Sequence, residues 1–248
     1  RNARFGYRMG DGAFEDLMVG DGLLCAVEHV HMGMHGSNVA AEEHLSRKEQ
    51  DAWALRSHQR AVAAHDSGLF SSEIVPVEIT GRAKTTTVEQ DEAPRRDTTS
   101  DALARLKPVF DPDGTVTAGN ASGINDGAGF LVLADAAKAA AGGHKAMARL
   151  VAYGIGGVSH EVMGEGPIPS TRVALAKAGL KIEDIGVVES NEAFAAQSLT
   201  VAKVLGLEVT DPDGPHGEFR TIRFPVSFDG ERMDSVTAPP VLGADDAN

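Results

Sequence analysis

Apolar and polar positions follow three different styles along this 248-residue chain. Residues 1–45 are Gly-rich and irregular, and no helix is expected there. A helix begins at Ser46, where Ser46-Arg-Lys-Glu49 has the form of a capping box. Ala52, Leu55, Gln59 and Val62 then recur at helical spacing, and Gly68 stops the run. Ile74–Ile79 reads as a strand whose Pro76 places it at a sheet edge or bulge. Residues 80–100 are polar and charged, and Ala102–Leu106 reads as a short helix ended before Pro108. From Gly127 onward the pattern changes. Phe130–Leu133 and Met147–Tyr153 are expected as buried strands, and Ile185–Glu189 as a further strand. Helices are expected at Ser170–Ala178, with Gly179 at C′, and at Ala193–Leu205, stopped by Gly206. Such alternation predicts an α/β layered sheet. Residues 212–248, rich in Asp, Pro and Gly, have poor periodicity and are expected to be disordered.

Between the two styles stands Thr117-Ala-Gly-Asn-Ala-Ser-Gly-Ile-Asn-Asp-Gly-Ala128. Its glycines allow positive φ or close backbone approach. Asn120, Ser122 and Asn125 supply short donors and acceptors for a ligand or for neighbouring backbone. A surface turn is the plain reading of such a cluster. Its length, and a second polar motif at Asn191-Glu-Ala-Phe-Ala195, favour a site.

These two motifs resemble the Thr-Ala-Gly-Asn-Ser/Ala-Ser-Gly and Asn-Glu-Ala-Phe-Ala segments of thiolases, the acyl-CoA:acetyl-CoA C-acyltransferases. Ser46–Phe70 resembles the loop-domain helix of that family, and the resemblance runs from about Phe5 to about Asp211. It implies a partial thiolase-like α/β fold: an α+β loop domain followed by part of the layered αβα core. The loop (CoA-binding) domain would span residues 1–124, the end of the first core half 125–146, and the start of the C-terminal core half 147–211. A divergent tail, 212–248, would follow.

Composition narrows the picture. Hydrophobic residues make up 42% and aromatics only 5%, which suits an Ala/Val/Leu/Ile core. A net charge of −13 disfavours nucleic acid and anionic membranes as partners. No apolar run reaches the length of a membrane span, which predicts a soluble, cytoplasmic protein, or a mitochondrial or peroxisomal one in a eukaryote. Cys25 is the sole cysteine, so no internal disulfide or Cys-based metal cluster can form. His31 and His35 have i,i+4 spacing, but Gly33 and Gly36 argue against a helix there and no HExxH pattern is present, so no metal site is expected.

Thioester condensation needs an activated thiolate, a second acid/base and oxyanion holes. The resemblance places the family's nucleophilic Cys before Arg1, and its activating His and acid/base Cys beyond the point of departure; Cys25 matches neither position. The chain opens at Arg1 without Met and reads as a fragment. By resemblance, Asn191 positions a water in the oxyanion hole; a helix N-cap is its other reading. Phe194 either closes the acyl pocket or packs in the core. Arg95 matches a CoA phosphate contact in a region that also reads as a solvated loop. Ser122 matches the residue that bonds the pantetheine amide, and Ala118 and Phe110 line the tunnel. His31 and Met32 border the acyl end in the acetoacetyl-CoA pattern, although Met34–Ser37 departs from the usual sequence. Leu23, Val109 and Ala193 complete the CoA-facing set. Coenzyme A would be a substrate moiety, with no separate cofactor, and the family is usually homo-oligomeric. The expected function is a thiolase-type acyltransferase chain inactive alone, in acetoacetyl-CoA synthesis or 3-ketoacyl-CoA thiolysis within fatty acid metabolism. A non-catalytic CoA-binding or oligomerising module, and a translated fragment without function, are the alternatives.

Overall fold

The computed structural model describes residues 12–82 and 84–207, together with Gly6 and Met9; the tail expected at 212–248 lies outside them. A π-helical turn, Met18–Leu23, leads into a tight turn closed by the Leu24↔His31 bridge. Helix α1 (Met32–Glu42) follows directly. This corrects the expectation of an irregular N-terminal region. Gly33 and Gly36 do not break the helix; they allow two aromatic rings to sit on it. A Cβ at Gly33 would lie 2.0 Å from Phe110 Cδ2, and one at Gly36 would lie 3.0 Å from the Phe194 ring. The imidazole of His31 caps the helix, its Nδ1 accepting the Gly33 N–H at 3.0 Å.

Helix α2 (Arg47–Asp66) starts on the predicted capping box: Ser46 Oγ accepts the Glu49 N–H, and Glu49 accepts the Ser46 N–H at 2.7 Å. Its buried face differs from the expected one. Gln50, Asp51 and Ala54 are buried, whereas Ala52 and Gln59 are exposed. Two polar residues occupy that face because they are bonded there, so hydrophobic spacing alone misassigns it. The strand after Pro76 forms a hairpin, β1 (Val77–Thr80) with antiparallel β2 (Thr85–Val88), exposed on every residue. Short helices α3 (Ser100–Ala104) and α4 (Ala136–Ala141) start on the Thr99 and Asp135 side chains.

Helix α5 (Pro167–Ala178) and helix α6 (Ala195–Leu205) end on Gly179 and Gly206 in the left-handed conformation, as predicted. Alpha-6 is the centre of the molecule. Ala195–Ser198 and Thr200–Ala202 are buried, so the helix is enclosed on nearly all sides. Alpha-1, α2, α5 and the short 3₁₀ turn His160–Glu165 pack around it, and α3 packs on α2.

The strands expected at Phe130–Leu133, Met147–Tyr153 and Ile185–Glu189 do not form; among the described residues the hairpin is the only sheet. Phe130, Leu131 and Val132 are 94%, 90% and 98% exposed. An apolar run becomes a buried strand only when a neighbour pairs with its backbone and another layer covers it. No described segment does either for Phe130–Leu133. The Met147–Tyr153 run is held along one side only, where Lys177 Nζ donates to the Tyr153 carbonyl and lies over its ring. No described helix is long and apolar enough to cross a membrane.

Candidate functional site

The two polar motifs meet. Ala121 and Phe194 form an antiparallel bridge, Ser122 N–H donates to the Ala193 carbonyl at 3.0 Å, and Ala195 N–H donates to the Asn120 carbonyl at 2.9 Å. Residues more than seventy positions apart are thus joined through their backbones at the start of α6.

A buried polar network holds the first motif in place. Asn120 Oδ1 accepts the Thr117 N–H at 2.8 Å; Asn120 Nδ2 donates to the Thr115 carbonyl and to Asp51 Oδ1. Asp51 in turn receives both its oxygens' bonds from Arg47 Nε at 2.9 and 2.8 Å. Arg47 Nη2 donates to the carbonyls of Leu103 and Leu106. Buried polar groups persist when they are satisfied, and a charge-assisted bond such as the Arg47 Nε–H shared between the two Asp51 oxygens is among the stronger ways to do it. Asn120 therefore fixes the loop that presents Ala118 and Ser122, rather than facing a ligand itself.

The second motif is tied to α2 by Glu192. Its carboxylate accepts from Trp53 Nε1 at 2.9 Å and from Ser57 Oγ. Trp53 thus anchors this segment, with the Arg56 guanidinium 4.0 Å over its ring. The i,i+4 spacing of Trp53 and Ser57 was the available signal for this anchor.

An open cleft of about 1560 Å³ runs between these elements. Arg95, Ala118, Ser122 and Asn191 line it, along with His58 and Glu192, which the sequence did not single out. The Arg95 N–H donates to His58 Nδ1 at 3.2 Å, tethering the basic loop to α2. Burial pushes the His58 imidazole below its ordinary value; the Arg95 charge adds to this and Glu192 opposes it.

The other predicted residues form a second cluster, outside that cleft. The His31 ring stacks on Phe110, with centroids 3.9 Å apart and planes 13° from parallel. Burial lowers the His31 pKa, and its Nδ1 is occupied by the helix cap, so Nε2 carries the proton of the neutral ring. Phe110 covers Gly33, and Phe194 covers Gly36 on the same helix. Met32 is half-buried beside them, and Val109 donates its N–H to the Val116 carbonyl in the turn closed by the Pro108↔Thr117 bridge. Leu23 closes the π-helical turn before the Leu24↔His31 bridge. Asn191 is exposed and lies four residues before α6, whose N-cap is Phe194; the N-cap reading of Asn191 does not hold. Cys25 is 8% exposed and does not line the cleft.

Comparison with known proteins decides the family. The thiolase N-terminal domain matches residues 1–137, and the thiolase C-terminal domain matches residues 144–233. The chain belongs to the thiolase family. The second match continues past Asp211, where recognisable motifs end. This thiolase chain is 47% identical over 231 residues to the acetyl-CoA acetyltransferase of Escherichia coli (strain K12), covering 93% of itself and 58% of that relative. It is 46% identical over 229 residues to the beta-ketothiolase BktB of Cupriavidus necator, covering 92% and 58%. Among solved structures, it resembles the acetyl-CoA acetyltransferase of Bacillus anthracis with a TM-score of 0.75 at 44% identity, over 84% of this chain and 52% of that one. Human mitochondrial 3-ketoacyl-CoA thiolase gives a TM-score of 0.75 at 38% identity, over 92% and 57%. The fold is therefore a partial thiolase fold of mixed helices and sheet. The chain spans a little over half the length of the relatives it matches.

Proposed function

We propose that this chain forms the CoA-facing side of a thiolase-type acyl-transfer site, for acetoacetyl-CoA formation or 3-ketoacyl-CoA thiolysis, and does not turn over alone. The backbone bridge between Ala121 and Phe194 carries the proposal. It sets the Arg95/Ser122/Asn191 cleft on one side and the His31/Phe110/Phe194 cluster on the other. An elongated thioester has one polar, anionic end and one small apolar end, and this arrangement suits both. Arg95 would meet phosphate by charge and Ser122 the pantetheine amide by hydrogen bonding. Asn191, on the cleft wall without a capping duty, would hold the oxyanion-hole water. The acyl-accepting thiolate is a different matter. Cys25 is buried, away from the cleft, and is the sole cysteine of the sequence.

Calorimetric titration with CoA tests the reading. Binding is expected in roughly the millimolar range, worth about 4 kcal/mol. Arg95→Ala should weaken it and remove its salt dependence, and Ser122→Ala should weaken it without changing that dependence. Equal binding by all three proteins would overturn the assignment. Turnover of acetoacetyl-CoA above that of a Cys25→Ala control would overturn the inactivity. Under this reading the protein would work in the cytoplasm, and complete acyl transfer would require protein beyond these residues.

A further inference from the structure

The side chains of Cys25, Glu28 and His35 each bring one ligand atom within 4.8 Å of the others. Glu28 belongs to a second such group with His160 and Glu161. Three separate pieces of chain converge there. Cys25 and Glu28 come from the turn closed by the Cys25 N–H to Val30 carbonyl and His29 N–H to Cys25 carbonyl bonds, both 2.8 Å. His35 comes from α1, and His160 and Glu161 from the 3₁₀ turn of the C-terminal half. Asn38 of α1 already donates to the Glu161 carbonyl at 3.0 Å, so that turn is seated beside the cluster.

His35 is 1% exposed, yet only one ring nitrogen has a partner: Nε2 pairs with Glu28 at 2.8 Å, while Nδ1 is buried with no hydrogen bond. An imidazole fully withdrawn from water normally satisfies both nitrogens. The open Nδ1 shows that the protein's own groups do not fully satisfy this buried ring. We propose that Cys25, His35 and Glu28 form a site for a thiophilic divalent cation of the zinc type, with His160 within reach as a fourth ligand. Sulfur, nitrogen and oxygen donors together suit zinc. A thiolate and a carboxylate would offset the ion's two positive charges, so the site could be buried without net charge. Ligand atoms around tetrahedral zinc stand about 3.3–3.6 Å apart, so the Glu28–His35 pair would open from its 2.8 Å hydrogen bond as the ion entered. The ion would tie the first thiolase half to the second, and it sits apart from the acyl-transfer cleft.

The test is titration of the purified chain with Co²⁺ and Zn²⁺, read by cobalt absorption and by equilibrium dialysis. The expected result is about one ion per chain and a thiolate-to-cobalt charge-transfer band. Cys25→Ser should abolish that band and weaken binding at least about tenfold. Glu28→Gln should also weaken it, because both groups share Glu28. Circular dichroism accompanies each variant. Glu28 lies 29% exposed, and Gln keeps its shape and a hydrogen-bonding oxygen for His35, so this variant decides the question if Cys25→Ser fails to fold. A folded parent that binds less than about a tenth of an equivalent would overturn the site. So would unchanged affinity in a folded Cys25→Ser or Glu28→Gln chain.

Discussion

Two regions of this chain depend on opposite kinds of contact. The Thr117–Gly123 loop is held by polar groups, each with a named partner: Asn120 on Asp51, Thr117 and Thr115, and Ser122 on Ala193. The Phe130–Leu133 run is apolar, without a paired strand and uncovered. A hydrogen bond specifies its partner by distance and angle, whereas an apolar side chain accepts any dry surface. The polar loop is consequently complete within the described residues, and the apolar stretch is not.

The largest effect that would break this comparison is at Asn120. Replacing it with Ala leaves the Thr117 N–H and the Thr115 carbonyl unsatisfied and removes a partner of buried Asp51. A loss of about 2–4 kcal/mol is expected, from stranded buried groups rather than from the lost bonds themselves. Urea unfolding measures it. A loss under about 1 kcal/mol would mean that the loop does not depend on this network.

What was legible in the sequence follows the same division. The capping box at Ser46–Glu49 and the left-handed ends at Gly179 and Gly206 are local, and each was read correctly. The two motifs were visible as residues, yet their backbone junction depends on chain folding across more than seventy positions. Alpha-1 was missed because Gly33 and Gly36 look like helix breakers until Phe110 and Phe194 are known to lie on them. The α2 face was misassigned because Asp51 is buried by Arg47 and Asn120, partners with no periodic signature. The three strands were predicted from apolar content, which says what a segment buries but not what is present to bury it.

Gly33→Ala gives the next largest effect and sharpens the same point. In an exposed helix interior this change stabilises by about 1 kcal/mol. Here the new methyl would overlap the Phe110 ring, and a net loss of about 1–3 kcal/mol is expected from overpacking. A more stable variant would show that the ring does not rest on α1.

Glu165 should give a smaller, pH-dependent effect. Burial raises its carboxyl pKa, and the charges of Glu42 and Glu43 raise it further. Its Oε1 is buried without a hydrogen bond. A carboxyl with a raised folded-state pKa favours folding when protonated, so its contribution is full below the ordinary carboxylate pKa and is lost as pH rises through the raised value. Glu165→Gln should therefore stabilise near neutral pH and make no difference in acid. Urea midpoints from about pH 4 to 8 measure this, and a gain that is larger in acid would reverse the assignment.

The smallest expected effect lies in the apolar stretch, and it tests the other half of the comparison. Val132 is 98% exposed, so Val132→Lys removes almost no buried area. Its cost in urea should stay within about 0.5 kcal/mol, as for surface changes generally. The same substitution places a charge in a run of four exposed apolar residues with unpaired backbone, a template for pairing with another chain. Light scattering should therefore show less association while the midpoint stays fixed. A fall of 2 kcal/mol or more would mean that Val132 is covered in solution, as the sequence pattern alone predicts. The contrast with Asn120 would then vanish, because both segments would be holding the folded chain together.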